Sequence, residues 1–183
     1  RFMRRFTPIH DGTRRIVAPE GLSRFYIGKE AGRHGPTSVV GATWMTREDR
    51  LNEIRDYVEY LDRLHEEVGA GAAEAPVTVL GFSQGVATAA RWVVQGRVRP
   101  TRLVAWGDAL PPDLDMDAAA RRRQDVELLL VRGSRDRAVG EERAARERTA
   151  LEAAGITYRV VAYEGGHDIH PAPLRALAGM ETP

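Results

Sequence analysis

The sequence predicts an α/β fold with a mostly parallel sheet and helices on both of its faces. Four short apolar runs, 77–80, 103–106, 126–131 and 156–161, have the length and composition of buried strands. Segments with the apolar spacing of helices lie between them, and strands that alternate with helices form parallel sheets. Because functional residues of such sheets gather at the carboxyl ends of the strands, we expect the site at that edge.

The composition is that of one globular domain, which we expect to span residues 1–183. Hydrophobic residues make up 43% of the chain, enough for a continuous core. With 27 basic and 26 acidic residues the formal net charge is +1, so no strong field attracts nucleic acid. The chain contains no cysteine, which excludes disulfides and thiolate chemistry.

The pattern of apolar residues also bears on location and assembly. No apolar stretch approaches the roughly 20 residues that a membrane-spanning helix needs, and no signal-like segment opens the sequence. We therefore expect a soluble, cytoplasmic protein without a membrane span. The sequence leaves open whether it forms a homodimer.

The first 46 residues contain few clear elements. Residues 1–6 have the pattern of an amphipathic helix, and residues 14–18 predict a short strand that Pro19 ends. Residues 19–46 form a glycine-rich predicted loop that carries large apolar side chains, namely Phe25, Tyr26, Trp44 and Met45. Long loops often act as lids or binding loops. The alternative is that these side chains only anchor the loop to the core.

The clearest predicted helix begins near Thr46, which forms a capping-box-like pair with Asp49. Apolar residues then recur at helical spacing, at Leu51, Ile54, Val58, Leu61, Leu64 and Val68. Charged residues occupy the opposite face, and Gly69 ends the helix. Further helices are predicted from 86 to Gly96, over 141–154 and over 171–179.

The pentapeptide Gly81-Phe82-Ser83-Gln84-Gly85 lies between a predicted strand and a helix of small residues. This G-x-S-x-G pattern in this context is typical of a nucleophile elbow, a sharp turn that lifts a serine hydroxyl above the sheet. Small residues flank the serine because the backbone is crowded there. The alternative is a plain strand-to-helix turn in which Ser83 is the N-cap.

Asp136 and His167 follow two other predicted strands, so the chain order is serine, aspartate, histidine. A serine hydroxyl is a weak nucleophile and needs a neutral imidazole to accept its proton, while a carboxylate orients that imidazole. We therefore predict Ser83 as the nucleophile, His167 as the base and Asp136 as the orienting acid. Taken alone, Asp136 also fits a turn or N-cap role, and His167 a surface loop.

These motifs resemble the α/β-hydrolase superfamily and, within it, the phospholipase/carboxylesterase group that includes acyl-protein thioesterases. The matching segments are Gly81-Phe82-Ser83-Gln84-Gly85, Gly133-x-x-Asp136-x-x-Val139, Gly165-Gly166-His167, Ala18-Pro19-Glu20 and Gly107-Asp108-Ala109-Leu110-Pro111. The resemblance implies a serine esterase or thioesterase that forms an acyl-enzyme without any cofactor. It also implies that the Gln84 N–H binds the developing oxyanion.

The family completes its oxyanion hole with a backbone N–H from a His-Gly segment that follows an earlier strand and precedes a helix like the one predicted at residues 1–6, and the sequence given does not include that segment. We therefore expect residues upstream of Arg1, including further strands of the same sheet. A small-molecule ester or thioester is the expected substrate. Phe25, Tyr26, Trp44, Met45 and Phe82 are the candidates to line an acyl or alcohol pocket, because such pockets are apolar.

The sequence gives less support to a metal site and to functions other than a serine esterase. The four aspartates Asp108, Asp113, Asp115 and Asp117 fit loop and cap roles, since no histidine or glutamate completes a ligand set, and we expect no metal. A non-catalytic protein of this fold that holds a small apolar ligand is the main alternative. A hydrolase of carbon–carbon bonds or lactones would use the same three residues, so the sequence does not separate it from an esterase.

Overall fold

The computed structural model describes residues 2–28, 34–69, 75–122 and 126–179. The chain begins with a 3-10 helix, Phe2–Ile9, and the helices and strands that follow are, in order, β1 (Ser23–Tyr26), β2 (Val40–Thr43), α1 (Arg50–Gly69), β3 (Thr78–Phe82), α2 (Gln84–Gln95), β4 (Arg102–Trp106), α3 (Met116–Arg122), β5 (Glu127–Gly133), α4 (Glu141–Ala153), β6 (Tyr158–Tyr163) and α5 (Pro171–Leu177). None of these helices is long and apolar enough to span a membrane.

Strands β3, β4, β5 and β6 form a parallel sheet in that order, which confirms the predicted fold class. Successive strand residues face opposite sides of a sheet, so both faces of these apolar strands need cover. One face packs against α2, α3 and α4 in a cluster that includes Val86, Leu103 and Leu151. The other face packs against the 3-10 helix and α5, with Phe6, Val104 and Leu174.

Helix α1 packs against α2 through Ile54, Tyr57 and Leu61, with Trp92 partly buried against them. It begins at Arg50, later than the predicted start at Thr46. The Glu53 side chain reaches back to accept hydrogen bonds from the backbone and the hydroxyl of Thr46, so residues 46–49 form a turn instead of a first helical turn. Leu51 was predicted on the apolar face, but 76% of it is exposed.

The predicted strand over residues 14–18 is absent from the described structure. Arg14 and Arg15 instead donate hydrogen bonds to the carbonyls of Ala178 and Val68, so this segment bridges the C-terminal ends of α5 and α1. The predicted loop over 19–46 contains an unforeseen antiparallel pair, β1 and β2, in which Ser23 lies opposite Thr43. Its residues pair with each other locally and form no part of the main sheet.

Two of the four aspartates after β4 make hydrogen bonds that stabilise the fold, one in an unpredicted ion pair and one as a cap. Asp113 accepts hydrogen bonds from Arg50 and from Arg91, a guanidinium of α2 that is 2% exposed. Asp115 accepts from the Ala118 N–H at the start of α3, as a capping residue does. Arg91 is thus paired within the protein, which offsets the cost of burying its charge.

The turn between β3 and α2 brings two stretches of backbone into close contact. A Cβ atom on Gly81 would lie 2.3 Å from the Gly85 carbonyl oxygen and 2.6 Å from the Val86 Cα. A Cβ on Gly85 would meet no heavy atom within 4 Å. Of the two glycines that flank the serine, only Gly81 has no room for a side chain. The Gly85 carbonyl is one of the groups that occupy the space beside it.

We predict that Gly81→Ala lowers the free energy of unfolding by about 1–3 kcal/mol, because the added methyl group overpacks the turn. The matched variant Gly85→Ala should leave stability unchanged or slightly raised, since the site is open. Urea unfolding followed by circular dichroism measures both. Equal destabilisation by the two variants would show that the close approach at Gly81 does not constrain the turn.

Candidate active site

Ser83 lies at the sharp turn where β3 ends and α2 begins. Its φ of 54° and ψ of −125° make it the one non-glycine residue with a positive φ in the described part of the chain. Such backbone strain costs about 1–3 kcal/mol and persists where the surroundings enforce it. The Ser83 N–H donates to the Trp106 carbonyl at 3.0 Å. Although Ser83 occupies the N-cap position, its side chain makes no capping hydrogen bond, so a capping role does not account for it.

Asp136 and His167 lie side by side in the loops that follow β5 and β6. The distance between His167 Nδ1 and Asp136 Oδ2 is 2.9 Å. The Asp136 side chain is 5% exposed and that of His167 is 37% exposed. The other carboxylate oxygen accepts from the Ala138 N–H at 2.9 Å. An ionised carboxylate only accepts hydrogen bonds, so this geometry requires a proton on Nδ1 and leaves Nε2 of a neutral imidazole as an acceptor.

Four loops meet around this pair. The Phe82 ring, next to Ser83 in the chain, lies 4.8 Å from the His167 imidazole between ring centroids. Gly107, directly after β4, has a φ of 72°. A Cβ on it would lie 3.3 Å from both Asp136 Oδ2 and His167 Cε1. Gly107 therefore lets the β4 loop pass close to the carboxylate and the imidazole, a role that its place in the family pattern did not reveal.

Gln84 connects this turn to the β1–β2 hairpin. Its side-chain Nε2 donates to the Thr43 hydroxyl at 2.8 Å and to the Met45 carbonyl at 3.2 Å, and its Oε1 accepts from the Trp44 N–H at 3.1 Å. Its backbone N–H begins α2, where the first amides of a helix have no partner within the helix. The family resemblance implies a role for that N–H alone, and the motif carries no signal for the hydrogen bonds of the side chain.

A cavity of about 310 Å³ opens beside His167. It is lined by Phe2, Arg5, Phe82, His167, Asp168 and Ile169. Its wall is mostly apolar, and an ion pair between Arg5 and Asp168, with 2.6 Å between nitrogen and oxygen, adds charge at the side. Of the five side chains proposed for the pocket, Phe82 is the one that lines this cavity.

The other four proposed pocket residues lie elsewhere. Trp44 and Met45 pack against the buried cluster of α1, and Met45 Sδ contacts the Arg91 guanidinium at 3.6 Å. Phe25 and Tyr26 lie on β1 and are 50% and 51% exposed. Trp44 and Met45 therefore anchor the loop to the core, which is the alternative that the sequence left open.

We predict that Gln84→Ala frees the segment that it holds, so that the Trp44 amide hydrogen exchanges about fivefold faster or more, as expected for loss of one hydrogen bond of about 1 kcal/mol. Hydrogen exchange measured by NMR tests this. Gln95→Ala, at the exposed end of the same helix, is the matched control and should leave the Trp44 amide unchanged. Equal exchange in both variants would contradict the link between the elbow and the hairpin.

The family model described as serine hydrolase (FSH1) matches residues 11–173. No curated protein matches the sequence significantly.

Several solved structures share the fold. Acyl-protein thioesterase 2 of Zea mays aligns with a TM-score of 0.59 and 20% identity, over 78% of this chain and 72% of that one. SOBER1 of Arabidopsis thaliana aligns at 0.53 and 20%, over 70% and 63%. TT1662 of Thermus thermophilus aligns at 0.56 and 22%, over 73% and 64%. The aligned part thus spans less than two thirds of the length of the last two proteins.

At these identities the structural matches establish the α/β-hydrolase-like fold, and the family model identifies the family. That model covers most of the chain and includes the elbow at Ser83, the loop of Asp136 and the loop of His167. The chain belongs to the FSH1 serine hydrolase family.

Proposed function

We propose that this serine hydrolase cleaves small-molecule carboxylic esters or thioesters through an acyl-enzyme formed on Ser83. The observation that carries the proposal is the 2.9 Å contact between His167 and the buried Asp136 carboxylate. The Phe82 ring, which precedes the strained Ser83 in the chain, lies 4.8 Å from the same imidazole. An imidazole base that is oriented by a carboxylate and lies near a serine at a sharp turn is the arrangement that activates a hydroxyl nucleophile. Membership of a serine hydrolase family supports the same conclusion.

In the first half of the proposed reaction, Ser83 Oγ attacks the carbonyl carbon while His167 Nε2 takes its proton. Asp136 keeps Nδ1 protonated and stabilises the imidazolium that forms. The Gln84 N–H donates to the oxyanion of the tetrahedral intermediate, and helix α2 adds the positive end of its dipole. His167 then gives the proton to the leaving alcohol or thiol, and the acyl group stays on Ser83.

In the second half, water replaces the leaving group. His167 takes a proton from the water as its oxygen attacks the acyl carbon, and returns that proton to Ser83 Oγ as the carboxylic acid leaves. These steps use only protein groups and water, so the proposed chemistry needs no cofactor and no metal. The similarity in fold to a maize acyl-protein thioesterase supports thioesters as one of the two proposed kinds of substrate.

The cavity beside His167 supports a substrate with a small apolar group. Phe2, Phe82 and Ile169 form its apolar wall, and its volume of about 310 Å³ lies at the low end of small-molecule sites. An apolar wall next to the proposed base would hold the acyl or alcohol part of the substrate and exclude water from it. We therefore propose short apolar esters and thioesters as the substrate class.

We predict that a fluorophosphonate probe labels the wild-type protein at Ser83, and that Ser83→Ala abolishes both labelling and hydrolysis of short p-nitrophenyl esters. Removal of the nucleophile costs roughly 10⁶-fold in kcat in a serine hydrolase of another fold. Mass spectrometry of the labelled peptide identifies the site. Ser134→Ala, an exposed serine in the loop of Asp136, is the control and should label and hydrolyse normally. Full hydrolysis by Ser83→Ala would exclude the acyl-enzyme on Ser83.

We predict that Asp136→Asn lowers kcat by about 10³–10⁴-fold with little change in KM, because an amide neither fixes the Nδ1 proton nor stabilises an imidazolium. Steady-state kinetics with a p-nitrophenyl ester measure both constants. Asp117→Asn, which alters an exposed aspartate of α3, is the matched control and should be as active as wild type. A loss that appears only in KM would remove Asp136 from the proposed machinery.

A further inference from the structure

Tyr163 ends β6, and its hydroxyl lies beneath the loop that carries His167. Its Oη is 2.8 Å from the Gly166 carbonyl oxygen and 2.7 Å from the Asp168 carbonyl oxygen. These two carbonyls flank His167 in the chain. A phenol has one proton to donate, so the two carbonyls share it. Each of these hydrogen bonds holds the backbone on one side of His167 close to the Tyr163 hydroxyl.

A second donor acts on the same turn. The indole Nε1 of Trp106, which is fully buried, donates to the Asp168 carbonyl at 3.1 Å and lies 3.3 Å from Tyr163 Oη. Within the turn, the Asp168 N–H donates to the Gly166 carbonyl at 2.9 Å. The ends of β4 and β6 therefore both supply hydrogen bonds to the residues around His167.

Tyr163 also contacts the loop that carries Asp136. The Ser134 N–H donates to the Tyr163 carbonyl at 2.9 Å. The Tyr163 ring fills the space beside two glycines: a Cβ on Gly133 would lie 3.0 Å from its Cζ, and a Cβ on Gly165 would lie 2.5 Å from its Cε2. One side chain thus touches the loops of both the carboxylate and the imidazole.

We propose that Tyr163 is a positioning residue whose hydroxyl holds the His167 turn so that the imidazole faces Asp136. Gly165 and Gly166 precede His167, and glycines allow a backbone many conformations, so this turn needs an external restraint. The hydroxyl supplies this restraint through the one proton that the two flanking carbonyls share. The effect on catalysis rests on the proposed function of His167, whereas the effect on the His167–Asp136 contact does not.

The variant Tyr163→Phe keeps the ring between the glycines and removes only the hydroxyl. We expect kcat for a p-nitrophenyl ester to fall about tenfold with KM nearly unchanged, since Trp106 still holds the Asp168 carbonyl and the turn is loosened only in part. Tyr158→Phe, at the other end of the same strand, is the matched control and should keep the wild-type kcat.

NMR gives a readout that does not depend on hydrolysis. The Nδ1–H proton of His167, identified by its absence in His167→Gln, should give a resolved downfield signal in the wild type and in Tyr158→Phe. In Tyr163→Phe it should broaden or disappear through exchange with water. If Tyr163→Phe lowers only the unfolding temperature, with kcat and this signal unchanged, the hydroxyl is merely structural and the proposal is overturned.

The two proposals can fail separately. If the wild type hydrolyses no ester, the proposed function fails and the NMR comparison alone decides the role of Tyr163. In that case an unchanged His167 signal in Tyr163→Phe overturns the positioning role, and loss of the signal supports it.

Discussion

The parallel hydrogen bonding of β3 through β6 determines which residues of this protein meet. Because the four strands run in the same direction, the loops after Phe82, Trp106, Gly133 and Tyr163 all emerge at one edge. Helices cover both faces of the sheet, so this edge is where loops can depart from regular structure and carry polar groups. The sheet therefore places residues as distant in sequence as Ser83 and His167 at the same edge, and the loops bring the Phe82 ring, next to Ser83, to 4.8 Å from the imidazole.

The first residues of these loops continue the pairing of the sheet beyond the strands. In each case an N–H donates to the last part of the neighbouring strand: Ser83 to Trp106 at 3.0 Å, Gly107 to Val131 at 3.1 Å and Ser134 to Tyr163 at 2.9 Å. The loops are therefore tied to one another where they leave the sheet. These bonds fix the first residues of the loops, which allows the strained φ at Ser83 to persist. The cost of burying the Asp136 carboxylate is offset by the hydrogen bonds that it forms with the Ala138 N–H and with His167 Nδ1.

The β1–β2 pair and the segment after it are attached to the elbow and to α1 by a few polar contacts. Gln84 links the elbow to the segment after β2, and Glu53 of α1 accepts hydrogen bonds from Ser23 and Thr46. Trp44 and Met45 then pack toward α1 and α2, away from the cavity beside His167. Their apolar character predicted burial, but hydrophobicity has no direction and does not tell which of two apolar surfaces a loop residue will contact.

The sequence by itself determined the four strands of the parallel sheet, the helices α1, α2, α4 and α5, and the position of Ser83, Asp136 and His167 after three of those strands. These features depend on local periodicity and turn chemistry, which each segment carries within itself. Tertiary structure alone decided the β1–β2 pairing, the loss of the strand predicted over 14–18, the crowding at Gly81 and the hydrogen bonds of Gln84 and Tyr163. Those features depend on which groups of distant segments come within hydrogen-bonding or van der Waals distance of each other. No short stretch of sequence encodes that information.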